Sequence, residues 1–462
     1  MTEDPVLKSR YNYFHFRPEG VIGYNARTGT FALLTKEIAS MLLRDGSLDA
    51  LEGESELFNL GFLHHGREIE DLENNYFQRR LSNSFLSLTI APTLDCNYHC
   101  PYCYQKGYRN PHKMSRATQK ALLAYIEKLI RLGRKKVSVT WYGGEPLLAT
   151  DSIISMARQI KKVTERNNDI LDSMHMISNG ILLYHDVARR VSNIGISQVQ
   201  ISIDSYIYDG ISRRGVIWEN GEFSPILQNI LAAKELLMFS IRINVCQNNI
   251  SDIPKIQSIL NNCGLKDHYY LARVSDDNHY EQSGKKCSEM QIEDGLDDPT
   301  QYPLVDILSR PQFAKIFQTL SWEKITPKVL ETMIDSLKPR NQYCSSTSGS
   351  HFVIDPEGNI SRCWHSAGVP AESIGNVHDK NIHVDLSNNE SLWNSYSPFA
   401  LQNCRNCKVL PLCMGGCPHP RIFGNNKPSC ESIKFQMDYV IEQVSMAIDV
   451  NAFLQIDANE KV

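Results

Sequence analysis

Ten of the 13 cysteines stand in two groups whose spacing suits metal binding. The first group, Cys96, Cys100 and Cys103, has the spacing C-x3-C-x2-C. The second group consists of seven cysteines within residues 344–430, namely Cys344, Cys363, Cys404, Cys407, Cys413, Cys417 and Cys430. Clustered reduced thiolates typically bind iron–sulfur clusters or zinc. The odd total and the uneven distribution disfavour a disulfide framework.

The composition of the chain excludes several classes of protein. The chain has 462 residues, 42% of them apolar, and a formal net charge of −4. This near-neutral balance argues against bulk nucleic-acid binding, which usually requires a basic surface. The sequence contains no run of 18 apolar residues and no signal-like N-terminus, so we expect a cytoplasmic protein without a membrane partner. In the reducing cytosol, metal ligation is the preferred interpretation of the cysteines.

An alternating pattern over residues 86–275 predicts the element that positions the first group. Six strand-like runs occur at Phe85–Ala91, Val137–Trp141, His175–Ser178, Gln198–Ile203, Ile241–Cys246 and Tyr269–Val274. Five amphipathic stretches lie between them, at Ser115–Leu132, Asp151–Arg166, Leu183–Asn193, Ser224–Leu237 and Ile253–Asn262. This alternation predicts parallel strands joined by helical crossovers, in an open doubly wound sheet or part of a (β/α) barrel.

The chain divides by pattern into five segments. We expect a small α+β module over residues 1–85, the alternating region over 86–300, a bridging region over 301–343, a cysteine-rich domain over 344–435, and a C-terminal helix with its tail over 436–462. The first cysteine group directly follows the first strand, where α/β folds place their chemistry. Three thiolates leave one metal position open, although His99 or a distant residue could complete a zinc site.

The C-x3-C-x2-C spacing, with Tyr102 before the last cysteine, resembles that of the radical S-adenosylmethionine (SAM) enzymes. In that family the three thiolates bind a [4Fe-4S] cluster, and SAM chelates its fourth iron. Reduction then yields a 5′-deoxyadenosyl radical, which abstracts a hydrogen atom from the substrate. The resemblance implies an α/β fold with a partial (β/α)6 TIM-like barrel, and an oxidoreductase.

Motifs at the next strand ends resemble the SAM-binding positions of the family. Residues 141–146 read Trp-Tyr-Gly-Gly-Glu-Pro, similar to the family's GGEP motif, in which Glu145 would accept a hydrogen bond from the SAM ammonium. The implied SAM contacts are Tyr102, Gly143, Gly144, Glu145, Pro146, Ser178, Asn179, Ser202, Asp204 and Arg213. Arg214 stays open as an alternative to Arg213, because the family usually shows D-x2-R and three residues here separate Asp209 from Arg213.

The second cysteine group resembles the SPASM extension of radical SAM enzymes, which carries two auxiliary [4Fe-4S] clusters. By position, the distal cluster would be bound by Cys404, Cys407, Cys413 and Cys430. Cys344, Cys363 and Cys417 would bind the nearer cluster, one protein ligand short. A substrate thiolate or Cys287 could fill that fourth position. Cys246 and Cys263 are interpreted as packed hydrophobic residues.

The SPASM resemblance favours a maturase of ribosomally made peptides (RiPPs). Such enzymes often carry an N-terminal winged-helix-like module that binds a precursor peptide, and residues 20–34 could form a hairpin with a free edge for strand addition. The alternative is that this module is a structural cap over the barrel. The product would be a thioether or carbon–carbon crosslink, with electrons from a flavodoxin or ferredoxin. No catalytic base is identified.

Three alternatives to a peptide maturase remain at this stage. Sulfatase-maturing enzymes usually have an aspartate where this chain has Trp364, which lowers that interpretation. A zinc-binding scaffold and an electron-transfer protein without radical chemistry are the others. Iron content and SAM cleavage distinguish them from a radical SAM enzyme.

Overall fold

The N-terminal module is a three-stranded antiparallel sheet followed by helices. The computed structural model describes residues 6–44, 54–81, 85–134, 136–167, 170–210, 213–274, 306–320, 327–379, 388–424 and 429–447. The sheet consists of β2 (Asn12–Arg17), β3 (Gly20–Asn25) and β4 (Thr30–Leu34). The remaining elements are β1 (Leu7–Lys8), α1 (Lys36–Leu43), α2 (Glu54–Asn59), β5 (Leu63–His64) and α3 (Glu68–Leu81). The hairpin predicted over residues 20–34 is confirmed by the antiparallel pairing of β3 with β4.

The alternating region folds into six parallel strands with helical crossovers, as predicted. The strands are β6 (Phe85–Ile90), β7 (Lys136–Trp141), β8 (Ile170–Ser178), β9 (Ile196–Ile203), β12 (Met238–Val245) and β13 (Tyr269–Arg273). The helices are α4 (Arg116–Arg131), α5 (Thr150–Arg166), α6 (His185–Ser192), α7 (Pro225–Ala233) and α8 (Ile253–Asn262). Each strand pairs with the next one along the chain. This unbroken order is that of a partial barrel, because a doubly wound sheet reverses its strand order midway.

The two faces of this sheet have opposite chemistry. Residues such as Leu88, Val139 and Ile201 have no solvent exposure and belong to the main apolar core that the crossover helices cover. Their neighbours on the other face are polar, and four of them, Gln200, Ser202, Arg242 and Asn244, line a cavity on β9 and β12. The period of two in the strands therefore separates a packing face from a face available for binding.

A short strand of the cysteine-rich region extends the barrel sheet. β14 (His351–Ile354) pairs in parallel with β6, and β15 (Asn359–Ser361) and β16 (Gly375–Asn376) follow it antiparallel. A small parallel pair, β10 (Ser205–Ile207) and β11 (Gly215–Ile217), follows β9. The helices of this half are α9 (Arg310–Leu320), α10 (Pro327–Ser336), α11 (Asn388–Ser395), α12 (Gln402–Arg405), α13 (Leu410–Cys413), α14 (His419–Ile422) and α15 (Met437–Ala447). The register His351↔Ser87 thereby ties the second cysteine group to the barrel.

The C-terminal helix joins the N-terminal module to the cysteine-rich region. Its apolar face is buried at Met437, Val440, Ile441 and Val444. These side chains share one core cluster with Tyr24 of β3 and with residues of the cysteine-rich region. In the described part of the chain, no helix is long and apolar enough to cross a membrane.

Candidate functional site

A single cavity of about 230 Å³ collects most of the predicted SAM-site residues. The loop after β6 brings Cys96, Cys100 and Cys103 to its wall. The other predicted residues on the wall are Tyr102, Gly143, Gly144, Ser178, Asn179 and Ser202. Because the strands are parallel, all of these loops emerge at the same edge of the sheet. The donor set of three thiolates on one short loop fits the predicted cluster.

The two glycines of the GGEP motif let the motif pack against the cysteine loop. Gly143 has a φ of +129°, and a Cβ there would lie 2.3 Å from the Thr93 carbonyl oxygen. A Cβ on Gly144 would lie 2.1 Å from the carbonyl oxygen of Asp95. Side chains at these positions would push away the backbone that leads into Cys96, so both glycines are required by close approach.

Glu145 is fully buried and ties the motif to the end of β8. Its carboxylate accepts hydrogen bonds from the backbone N–H of Leu147 (2.9 Å), the Ser178 hydroxyl (2.9 Å) and the backbone N–H of Asn179 (2.7 Å). Burial raises the pKa of Glu145 to about 6, although these three hydrogen bonds act against the rise. Pro146 then begins a short 3-10 turn that the Glu145 side chain caps. Asn179 continues the connection, since its Nδ2 donates to the Asn97 Oδ1 at 2.7 Å.

A buried polar network crosses the floor of the cavity. Arg214 donates from Nε and Nη2 to the two Asp204 carboxylate oxygens, at 2.6 and 3.0 Å. Asn244 donates to Asp204 at 2.8 Å and to the Tyr102 hydroxyl at 2.9 Å. The Tyr102 hydroxyl also contacts both Asp204 and Arg214. Burial acts against the charge of Arg214, but the adjacent Asp204 outweighs it, and the pKa of Arg214 lies well above its usual value.

The structure turns Arg214, rather than the predicted Arg213, toward the cavity. The Arg213 side chain is exposed, and its backbone N–H donates to Asp209 Oδ1 at 2.7 Å. The next residue, Arg214, precedes β11, which pairs with β10. The Gly215 N–H donates to the Arg213 carbonyl oxygen at 3.0 Å, and of the two arginines Arg214 lines the cavity.

Electrostatic interactions among the cysteines of the second group connect members of the same predicted set. Burial, followed by the nearby Cys417 and Cys344 thiols, raises the pKa of Cys363 well above its usual value. Burial also raises the pKa of Cys404, with Cys430 and Cys407 as further contributors. The Cys413 pKa rises to about 11 because of burial, and Glu431, Cys430 and Cys407 contribute. Within each set the sulfur atoms are therefore close enough to interact electrostatically.

Among the described residues, no three His, Cys, Asp or Glu side chains form a group arranged to bind one metal ion. Cys263 packs at the edge of the barrel core, as predicted, and Cys246 is half-buried beside a short turn. Cys287 lies outside the described residues.

An aromatic wall connects the first cysteine loop to Cys363. Trp364 and His365, which follow Cys363, line the same cavity as Cys96. The rings of Tyr104 and His365 stack at 4.2 Å, and those of Tyr142 and Trp364 are 5.2 Å apart. The Tyr104 and Tyr142 hydroxyls are hydrogen-bonded at 2.6 Å. The aromatic side chains therefore connect Cys363 of the second group to the loop of the first group.

Sequence reasoning missed several residues that line the cavity. Tyr104, His365, Gln200, Arg242 and Asn244 were not among the predicted contacts, although all five face the cavity. The alternation of polar residues along β9 and β12 was a usable signal, since polar side chains every second residue mark the inner face of a barrel.

The model of the radical SAM superfamily matches residues 90–256. These residues include the three-cysteine loop, the GGEP motif and the Asp204 network. The chain contains a radical SAM domain. It has the barrel topology and the cysteine loop that the sequence predicts for that domain.

Two kinds of relative were found for this chain. A GTP 3′,8-cyclase from Petrotoga mobilis is 33% identical over 175 residues, which cover 36% of this chain and 48% of that protein. A GTP 3′,8-cyclase from Listeria monocytogenes is 30% identical over 160 residues, covering 34% and 44%. The chain thus spans less than half the length of these relatives. A structure of anSMEcpe with bound AdoMet has 17% identity, covers 80% of this chain and 98% of its own, and gives a TM-score of 0.55, which shows a shared fold.

Proposed function

We propose that this protein is a radical SAM/SPASM maturase that crosslinks a ribosomally synthesised precursor peptide. The observation that supports this most is the aromatic wall, because Cys363 is followed directly by Trp364 and His365 at the cavity that contains Cys96. An auxiliary cluster at Cys363 would then border the site of hydrogen abstraction. Crosslinking removes two hydrogens from the peptide, so the reaction needs an electron acceptor close to the substrate.

At the SAM site, Cys96, Cys100 and Cys103 would bind a [4Fe-4S] cluster. When bound, this cluster supplies the electron that cleaves SAM and produces the radical. The chain's own residues orient SAM around it. We assign the SAM carboxylate to Arg214 and the ribose hydroxyls to Ser202 of β9. Asp204 does not line the cavity, and it would hold Arg214 in position.

For the ammonium of SAM, the Gly143–Gly144 backbone is the proposed contact, because Glu145 is fully buried and does not line the cavity. The Glu145 carboxylate accepts three hydrogen bonds from its own chain, so we propose that it holds the GGEP motif in position. Ser178, Asn179 and Pro146 fix the position of this carboxylate.

The second cysteine group would bind two auxiliary clusters. We propose Cys404, Cys407, Cys413 and Cys430 as a complete set for the distal cluster. Cys344, Cys363 and Cys417 form a set of three for the nearer cluster, and its free position would take a cysteine thiolate of the substrate. A thioether is then the favoured product, and a carbon–carbon crosslink is the alternative.

The N-terminal sheet is the proposed binding site for the precursor peptide. β4 pairs with β3 along one edge, and its other edge has no strand partner among the described residues. A peptide added there would gain main-chain hydrogen bonds. The anSMEcpe fold relative has been solved with a bound Cp18Cys peptide, so a barrel of this architecture accommodates peptides.

GTP cyclisation is the second candidate, because the relatives from Petrotoga mobilis and Listeria monocytogenes are named GTP 3′,8-cyclases. A sulfatase-type maturase is disfavoured, since no Asp or Glu occurs among the described residues that line the cavity and Trp364 stands where that class has its base. The two remaining candidates, a peptide maturase and a GTP cyclase, therefore differ in the substrate that the enzyme converts.

The decisive experiment uses protein reconstituted without oxygen and supplied with SAM and reduced flavodoxin. We expect 5′-deoxyadenosine, and we expect Cys96→Ala, Cys100→Ala and Cys103→Ala each to abolish it. About 11–12 iron per chain supports three clusters, whereas two to three zinc would support the scaffold alternative. A peptide encoded beside the gene should lose two hydrogens, whereas turnover of GTP instead would overturn the proposal.

A further inference from the structure

Arg242 places a guanidinium on the wall of the cavity, on the inner face of β12. Its side chain is half-buried. Nε donates to Asn244 Oδ1 at 2.9 Å, and Nη2 reaches the Arg273 carbonyl oxygen at 3.5 Å. Both partners are neutral, and a guanidinium has five N–H donors. The contacts therefore position the side chain without balancing its charge.

The charge of Arg242 has no carboxylate partner within the described parts of the chain. Two other poorly exposed arginines do have one: Arg214 pairs with Asp204, and Arg362 pairs with Glu390. No Asp or Glu is among the described residues that line the cavity. A cation withdrawn from bulk water without a counter-ion is costly, and a bound anion would remove that cost.

The surroundings of Arg242 suit a carboxylate attached to an organic side chain. Arg242 is close enough to Tyr142 and Tyr270 to act against the rise that burial causes in the pKa of each. Tyr142 belongs to the aromatic wall with Trp364, and the Tyr270 hydroxyl donates to Gln200 at 3.1 Å. A ligand at Arg242 would therefore share the cavity with the Tyr142 ring and the Gln200 amide, which line the same wall.

We propose that Arg242 binds a carboxylate of the substrate peptide and thereby selects the segment that enters the barrel. This inference rests on the proposed peptide substrate. The guanidinium fork matches a carboxylate at two points, which fixes orientation as well as position. Arg214 already has the SAM carboxylate as its proposed ligand, so Arg242 is available for the substrate. The carboxylate belongs to an Asp or Glu side chain or to the peptide C-terminus.

Two isomeric probes distinguish these sources in a binding titration of the SAM-saturated holoenzyme followed by ligand-observed NMR. N-acetyl-glutamate α-amide carries only a side-chain carboxylate, and N-acetyl-glutamine carries only a terminal one. N-acetyl-glutamine α-amide is the neutral reference. We expect one acidic probe to bind at least tenfold more tightly than the reference, which corresponds to about 1.4 kcal/mol. The preferred isomer identifies the source.

Variants connect this preference to Arg242. Arg242→Met should abolish it, Arg242→Lys should retain part of it, and Arg190→Met, which removes the same charge from exposed α6, should leave it intact. Equal binding of all probes, or an unchanged preference in Arg242→Met, overturns the proposal. So does a tenfold rise in the Kd for SAM in Arg242→Met, because Arg242 would then serve SAM. None of these readouts requires turnover, so they are independent of whether the peptide is crosslinked.

Discussion

Arg214 and Asp204 form a two-point ion pair beneath the three-cysteine loop, with 12% and 9% of their side chains exposed. Both members of the pair contact the hydroxyl of Tyr102, the residue before Cys103, and Asn244 of β12 donates a hydrogen bond to the same hydroxyl. These contacts connect the cysteine loop to the ends of β9 and β12. The Asp204 charge is balanced before any ligand arrives. SAM would therefore meet a preorganised guanidinium rather than a mobile one.

Arg214→Met should weaken SAM binding by about tenfold to a hundredfold and destabilise the fold by about 3–5 kcal/mol, because Asp204 would stay buried without its partner. Equilibrium dialysis with labelled SAM and denaturant unfolding measure the two effects. Arg213→Met is the matched control, since its exposed side chain predicts a change in stability within about 0.5 kcal/mol. A larger effect on SAM binding from Arg213→Met would return the assignment to Arg213.

Gly144→Ala should displace the cysteine loop, because the new Cβ would lie 2.1 Å from the carbonyl oxygen of Asp95. We expect a loss of about four iron per chain, the content of one cluster. Iron and sulfide analysis after anaerobic reconstitution measures this. Gly133→Ala strains the backbone at a φ of +100° but meets no atom within 4 Å, so it should keep its iron. Full iron in Gly144→Ala would contradict the close-approach requirement.

Cys404→Ala should remove the distal cluster and lower the iron content by about four per chain, while 5′-deoxyadenosine formation without peptide continues. Cys263→Ala provides the comparison, because it removes a thiol that packs against the barrel core outside both cysteine groups. Anaerobic metal analysis and chromatography of the nucleoside product give the two readouts. An equal iron loss in both variants would show that the assigned set is incorrect.

His351 should make the fold sensitive to acid. Burial, with the nearby Arg362 guanidinium, lowers its pKa to about 3, whereas an unfolded histidine titrates near about 6.5. Between these values the unfolded chain binds a proton that the folded chain excludes. The free energy of unfolding should therefore fall by about 1.4 kcal/mol per pH unit below pH ~6.5.

Urea unfolding between pH 7 and pH 5 tests this slope. His351→Gln removes the titrating group, so the free energy of unfolding should depend less steeply on pH. His112→Gln, at an exposed position, should leave the pH dependence unchanged. His351 also contacts the Ser87 hydroxyl at 3.0 Å, so His351→Gln is expected to be less stable at pH 7. Equal slopes in the wild type and His351→Gln would refute the assignment.

From the sequence we could predict metal binding by the cysteines and the order of the barrel elements, and the structure confirms the order of the elements. Ligand spacing within a loop and polar–apolar alternation within a strand are local properties, so Cys96–Cys103 and the six strands could be identified without coordinates. The glycines of the GGEP motif were also visible, although only the structure showed that they pack against residues 93–95.

Tertiary structure alone decided which distant residues share the cavity. The side to which each of Arg213 and Arg214 points depends on how residues 213–217 meet the sheet, and spacing does not specify this. Similarly, His365 and Tyr104 stack because β14 joins β6, a pairing between segments more than 260 residues apart. Arg242 acquired its significance from the absence of a carboxylate around the described cavity, which is a property of the assembled wall and not of any one strand.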